Sequence, residues 1–358
     1  MKKLTKTSRN NFLTYGFVIL SYVVLQAITA GGHMSSMLKG QLVPICAYVV
    51  MAISLNLTVG ILGELSLGHA GFMSVGAFMG TTTAIALKNV IASPTLRLVC
   101  ALIVGAIFAG IIGFLVGIPV LRLNGDYLAI VTLAFGEILK EIITCLIVGV
   151  DSRGLHVIFN VSGNRTANDL NLLDGGKVII KGAQGATGTQ TIATFTAGFI
   201  LIMLTLIIVQ NLVRSRHGRA IMAVRDNRIA AEAVGINVTK YKMMAFVTSA
   251  ALAGASGALF GLNYSNLAAA KFDFNTSILV LVFVVLGGLG NIWGSIIATV
   301  VLYILPEALR GFANYRMLIY AVVLIVVMLT TNNPILKGYF EGLRQKLGSK
   351  SEKEVQDA

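Results

Sequence analysis

An all-α fold, a polytopic membrane helical bundle of about ten transmembrane segments, is predicted by three features of this sequence. Apolar residues make up 56% of its 358 positions and charged residues only 12%, with a mean hydropathy of +0.83. A water-soluble core cannot hide that much apolar surface, whereas a bilayer can. The apolar residues also fall into charge-free runs long enough to span, each span needing about 20 residues. The charges that remain collect between those runs, and the net charge of +13 suits basic loops held against anionic lipid. No basic run is interleaved with aromatics on a soluble domain, so membrane lipid is an expected partner and nucleic acid is not.

Taken in order, Lys2, Lys3, Lys6 and Arg9 precede a first span over 12–30 and hold the N-terminus in the cytoplasm. The apolar run behind them is too long for the core of a cleaved signal peptide. Charge-free runs over 40–63 and 65–87 follow, separated by Glu64, with His69 near the start of the second. A run over 98–121 ends at Arg122, and a span over 127–150 contains Glu137, Lys140 and Glu141. Five crossings from an inside start place the polar stretch 151–190 outside, as an external loop or insertion able to form a small cap or lid. A sixth span over 192–213 returns the chain to the cytoplasm, and a seventh over 243–263 leaves it again.

Residues 274–306 lack charge but are interrupted by GGLGNIWG at 287–294. Too long for one span and short for two, they read as two shortened helices or a re-entrant pair. A last span over 317–336 brings the C-terminus inside, ending in a solvated tail over 337–358. Residues 1–336 thus form one transmembrane domain, and both termini are cytoplasmic.

The inner loop 214–242 is the most polar part of the chain. Arg214, Arg216, Arg219, Arg225, Arg228, Lys240 and Lys242 stand against only Asp226 and Glu232, an excess that marks a cytoplasmic loop. Its middle favours a helix over 218–234, stopped by Gly235 and Asn237. Ile221, Val224, Ile229, Ala233 and Val234 give that helix an apolar side, for lipid, packing or a partner.

Catalytic motifs are absent. The Gly-rich approach to Lys177 lacks the upstream Gly and the Ser/Thr of a phosphate loop, so no ATP hydrolysis is expected of this chain and no cofactor is expected on it. His33, His69, His156 and His217 form neither HxxxH nor HExxH, and Cys46, Cys100 and Cys145 share no CxxC spacing; neither metal nor disulfide is expected. Glycine is placed for helix contact in the pairs Gly76/Gly80, Gly113/Gly117, Gly257/Gly261 and Gly290/Gly294, suited to close packing within the chain, to a subunit interface or to a substrate path. Glu64, Ser66, His69, Glu137, Gly288 and Gly290 are the candidate path residues. Charges inside a span require partners or a wet interior, and Glu137 stands three residues before Lys140.

The runs AVRDNRIAAEAVGIN and KMMAFVTSAALAGASGALFG resemble the LivM-type permease subunit of branched-chain amino acid ABC importers. So do LNLTVGILGELSLGHAGFMSVGAF at 55–78 and GGLGNIWGSIIATVVLYILPEALR at 287–310, two blocks in which Gly interrupts a helix inside the membrane, so that broken or re-entrant helices are expected near 56–76 and 287–294. Three blocks in the family's order cover most of the chain. The resemblance implies that 214–242 is a loop whose helix sits in a cleft of a cytoplasmic ATPase subunit, with Arg219, Arg225, Asp226, Glu232, Ala233 and Gly235 as the matching positions. It further implies two ATPase subunits that use the ATP, a second related permease subunit, an external substrate-binding protein, a bacterial plasma membrane and branched-chain amino acids as cargo. One departure is visible: the Gly-rich segment expected directly after the fifth span is best matched by GAQGATGT at 182–189, roughly thirty residues late.

Relatives of such permeases carry urea or short amides, and the residues do not separate these from leucine. An ion-coupled secondary transporter, using Glu64, His69, Glu137 and Glu141 as carriers, is the rival from another class. It leaves the basic inner helix without a purpose.

Overall fold

The computed structural model describes residues 6–31, 36–123, 125–151, 153–160, 167–173, 176–309, 315, 318–319 and 321–325. By internal packing the chain divides into two compact units, Met1–Thr299 and Val300–Ala358. Lys2, Lys3, most of the expected last span and the tail 337–358 lie outside the described residues.

Eleven α-helices are described: α1 (Lys6–Ala30), α2 (Ser36–Asn56), α3 (His69–Ala86), α4 (Pro94–Val120), α5 (Asp126–Thr144), α6 (Phe195–Arg214), α7 (Arg216–Asp226), α8 (Arg228–Ala233), α9 (Val238–Gly261), α10 (Phe274–Gly287) and α11 (Ile292–Ala308). Four are long and apolar enough to cross a bilayer: Leu38–Leu62, Pro94–Val120, Phe195–Arg214 and Val238–Gly261. Shorter apolar helices cover Tyr15–Thr29, Phe274–Gly287 and Ile292–Ala308. The starts of several are written locally. Pro94 opens α4, where its missing N–H costs nothing, and Thr194, Ser215, Asn227, Asn237 and Asp273 each accept a backbone N–H at the start of the helix that follows.

The centre of the first unit is the packing of α3, α4 and α9, with α2 against α9. Glycine lets these backbones touch. Gly76 of α3 lies on Gly254 of α9, Gly257 of α9 on the Met73 carbonyl, and Gly113 of α4 on Ala250; a side chain at any of them would strike the neighbouring helix. Of the meanings open to the glycine pairs, close helix contact within the chain is the one realised at 76/80, 113/117 and 257/261. The α2 span is 94% buried and α4 only 33%, so α2 is an interior rod and α4 turns Ile103, Ile107, Ile111 and Leu115 outward.

The molecule is mostly helical but not all-α, which corrects the expected fold class. A five-stranded antiparallel sheet is built from β1 (Leu146–Asp151), β2 (Gly154–Phe159), β3 (Lys177–Lys181), β4 (Ala186–Thr187) and β5 (Asn266–Leu267), in the order β2-β1-β3-β4-β5. The expected fifth span 127–150 is therefore cut short: α5 ends at Thr144, and LIVGVD, rich in β-branched residues, pairs on both sides as the interior strand β1, between β2 and β3. Residues 151–190, read as a loop, carry β2, β3 and β4. Two further expectations change. The third span starts at His69 rather than 65, and the helix expected over 218–234 is two helices, because extended Asn227 caps α8 with its side chain.

Candidate functional site

Both interruptions read from the sequence are present, and they meet. At the first, α2 continues as a π-helical turn, Leu57–Leu62, and ends at Gly63 with φ +81°, after which residues 64–68 run without helix to α3. At the second, α10 stops at Gly287, and Gly288 and Gly290, with φ of +93° and +78°, turn the chain into α11. Such backbone favours glycine, since a Cβ costs about 1–2 kcal/mol in the left-handed region. Asn56 joins the two. Its Oδ1 accepts from the Gly290 N–H at 2.8 Å and its Nδ2 donates to Ser295 Oγ at 2.9 Å. Gly60 packs so closely on Gly290 that a Cβ there would collide with the Gly290 backbone and with Asn56 Oδ1.

The first interruption is braced from α9. His69 is buried between two serines, with Ser66 Oγ 3.1 Å from Nδ1 and Ser249 Oγ 2.7 Å from Nε2. Ser249 Oγ donates its one proton to the Ser54 carbonyl, so it accepts from Nε2–H. In the neutral ring with its proton on Nε2, Nδ1 accepts from Ser66, and the imidazole holds α9 to α3. Nearby, in the π-helical turn, Thr58 Oγ1 is buried with no partner. Glu64, at the exit of the π turn, forms a buried ion pair with Lys242 of α9, the two side chains 14% and 5% exposed. On the far side, the Leu67 N–H donates to Thr132 Oγ1 at 3.1 Å and the Ala70 N–H to Ser277 Oγ at 3.2 Å.

Glu137 of α5 stands apart from this cluster. It pairs with Lys140, as its spacing suggests, and Lys140 also lies 3.6 Å from Glu141. Glu137 shares a crevice with Leu67, Gly71, Asp273 and Ser277, so it flanks the first interruption from the α5 side. A separate apolar cavity of about 230 Å³ lies between α3, α4, α5 and the sheet, lined by Phe78, Met79, Ile143, Val148, Val157 and Phe159 among others. It uses none of the predicted path residues.

The loop 214–242 holds α7 and α8 over the first interruption. Val224, Ala231 and Val238 form a small buried core beneath them, with Ile236 packed against it. Gly235 ends α8 with φ +83°. Residues 225–230 and 232–235 are exposed, and two of them are large and apolar: Ile229 at 80% and Val234 at 76%. Arg228 and Glu232 pair at 3.1 Å on that surface. Arg219 donates to the Arg214 carbonyl at 3.2 Å, tying α7 back to α6. Arg225 points the other way, with Nη1 donating to the Gly60 carbonyl at 3.2 Å, its stem lying over Gly63 and its guanidinium also held by Asp226 at 2.9 Å.

Of the predicted positions, Glu64, Ser66, His69 and Gly290 thus come together and Gly288 shapes their turn. Arg225 and Asp226 join them from the loop, while Arg219, Glu232, Ala233 and Gly235 stay on the loop's own surface. Residues not singled out by reading the sequence are Asn56, Lys242, Ser249, Ser277 and Ser295. A polar side chain inside an apolar run was the signal available for Asn56 and Ser249; nothing local names their partners.

Comparison with known proteins then bears on what this arrangement serves. The chain is 33% identical over 291 residues to the Escherichia coli protein described as high-affinity branched-chain amino acid transport system permease protein LivM, an alignment covering 79% of this chain and 66% of that protein. A Salmonella typhimurium protein of the same description is 33% identical over 301 residues, with the same coverage. The chain thus spans just under two thirds of the length of these relatives. A probable branched-chain amino acid transport permease protein LivM from Methanocaldococcus jannaschii is 26% identical over 296 residues, covering 75% of this chain and 80% of that one. No solved structure matches. The family model described as branched-chain amino acid transport system / permease component matches residues 37–328, nearly the whole described molecule, and the chain belongs to that family.

Proposed function

We propose that this multi-pass membrane protein is the pore-forming permease subunit of an ABC importer that moves branched-chain amino acids inward, without catalysis of its own. The observation that carries this reading is the α7–α8 surface: an exposed strip bearing Ile229 and Val234, seated over the point where the α2 span is broken. Exposed large apolar residues rimmed by charge suit burial in a partner's cleft. On this reading the partner is a cytoplasmic ATPase subunit, and Arg219, Arg225, Asp226, Glu232, Ala233 and Gly235 belong to the docking loop. The path runs beside Glu64, Ser66, His69, Gly288 and Gly290, with Glu137 at its edge.

The remaining assignments complete the same picture: about ten crossings of a bacterial plasma membrane, both termini cytoplasmic, 151–190 outside, 337–358 a tail inside, two ATPase subunits, a second related permease and an external binding protein. The pairing of Glu64 with Lys242 and of Glu137 with Lys140 supports it over ion-coupled transport, since carboxylates already neutralised by lysine are poorly placed to carry protons or sodium.

The test is co-purification with the ATPase subunits in detergent, followed by labelled leucine uptake in proteoliposomes with urea as competitor. A stable complex is expected from the native chain, with ATP-dependent leucine uptake that urea does not suppress. Glu232→Arg, which reverses a charge on the docking surface, and Gly235→Pro, which breaks the turn closing α8, are expected to lose the complex. Intact complexes from both variants, or gradient-driven uptake without ATP, would overturn the proposal.

A further inference from the structure

Beyond docking, a mechanical question remains: how motion of a surface loop reaches a buried path. Four contacts form a continuous series. The Arg225 guanidinium grips the Gly60 carbonyl, the Gly60 backbone lies on the Gly290 backbone, the Gly290 N–H is held by Asn56, and Asn56 reaches Ser295 in α11. Each link has a physical reason. The Gly60 carbonyl belongs to the last turn before the helix stops, so it has no helical N–H to accept and is open to a side-chain donor. Gly63, lacking a Cβ, leaves room for the Arg225 stem; a side chain there would meet Arg225 Cγ at 2.6 Å. Asp226 fixes the guanidinium so that a shift of α7 moves the grip with it.

We infer that Arg225 is the positioning residue that transmits movement of α7 and α8 to the π turn, and that Asn56 makes the two helix breaks shift as a single gate. The inference rests on the importer reading and deepens it. A π turn suits this use, because local re-registration between π and α geometry changes the pitch of the segment without unfolding it. Arg225 does not touch the cargo. It acts through Gly60, and the gate is two glycine-rich turns locked by one amide side chain.

The test uses the full complex, with its ATPase and permease partners, reconstituted in proteoliposomes. ATP hydrolysis and labelled leucine uptake are measured together and expressed as ATP consumed per leucine moved. Arg225→Ala and Asn56→Ala are each expected to raise that ratio about tenfold, within the usual range of coupling between distant sites. Arg225→Lys keeps a donor on a flexible stem and is expected to recover part of the loss. The double variant should be no worse than the worse single one, because both cut the same series.

An unchanged ratio in both single variants overturns the inference, as does an equal fall in hydrolysis and uptake, which marks a structural role alone. Losses that simply multiply in the double variant overturn the idea of one gate. Should Arg225→Ala fail to assemble, Asn56→Ala, distant from the docking surface, decides the question. Failure of the native complex to form, or native uptake without ATP, strikes instead at the importer reading.

Discussion

The two helix breaks are alike in composition and unlike in support. The first, after Leu62, is braced by side chains from elsewhere: Lys242 and Ser249 of α9, Thr132 of α5, Ser277 of α10 and Arg225 of α7. The second, at 287–291, is a bare glycine turn, whose Gly290 N–H is satisfied by Asn56 at the edge of the first. Backbone released from a helix inside a membrane needs partners within the protein. One break finds its own, and the other borrows from its neighbour. The second should therefore loosen whenever the first is disturbed, while the reverse need not hold.

The largest expected effect is at Lys242. Lys242→Ala leaves Glu64 buried and unpaired and should cost about 3–5 kcal/mol in denaturant unfolding in detergent, with most of the loss recovered in the double variant Glu64→Met/Lys242→Met. A loss as small as that of a surface pair would show that the first break does not depend on its ion pair. Next is Asn56→Ala, expected to cost about 1–3 kcal/mol by leaving buried polar groups unpaired. Its signature is faster amide exchange at 287–295 than at 57–62; equal acceleration would remove the asymmetry between the breaks.

The smallest effect lies outside both, in the sheet. Burial pushes the Asp151 carboxyl up, but the N–H groups of Arg153 and Leu173 and the His156 ring outweigh it and hold the carboxyl below its usual value. A lowered folded value means stabilisation that is complete above the ordinary carboxylate range, near 3.9, and is lost as pH falls through the folded value. Exchange at 153–154 should rise only in acid, in step with that loss, and should be pH-insensitive in this respect in Asp151→Asn. The breaks should not respond.

How much of this the sequence held depended on distance along the chain. The glycines within 55–78 and 287–294 announced the interruptions locally, and the Glu137–Lys140 pair followed from helical spacing. The glycine pairs likewise pointed to helix contact before any partner helix was known. The sheet was hidden because LIVGVD, apolar and directly after α5, continues the hydropathy of a span while changing its geometry. Lys242 read as one more loop charge, since its partner Glu64 is 178 residues away, and Asn56 finds Ser295 across 239 residues. The split at Asn227 was missed for a different reason. Helix-forming residues on both sides masked a capping side chain between them.

The sheet has a consequence for how the molecule is made. Its strands β1 to β4 are synthesised before α6, but β4 pairs on its outer side with β5, which follows α9. On a nascent chain that edge stays open while α6, the inner loop with α7 and α8, and α9 emerge, and it closes only when Leu267 arrives. The glycine face of α3 waits for α9 over the same interval. A chain truncated before Leu267 therefore leaves an unpaired strand edge on β4, an edge of the kind that invites pairing with another chain.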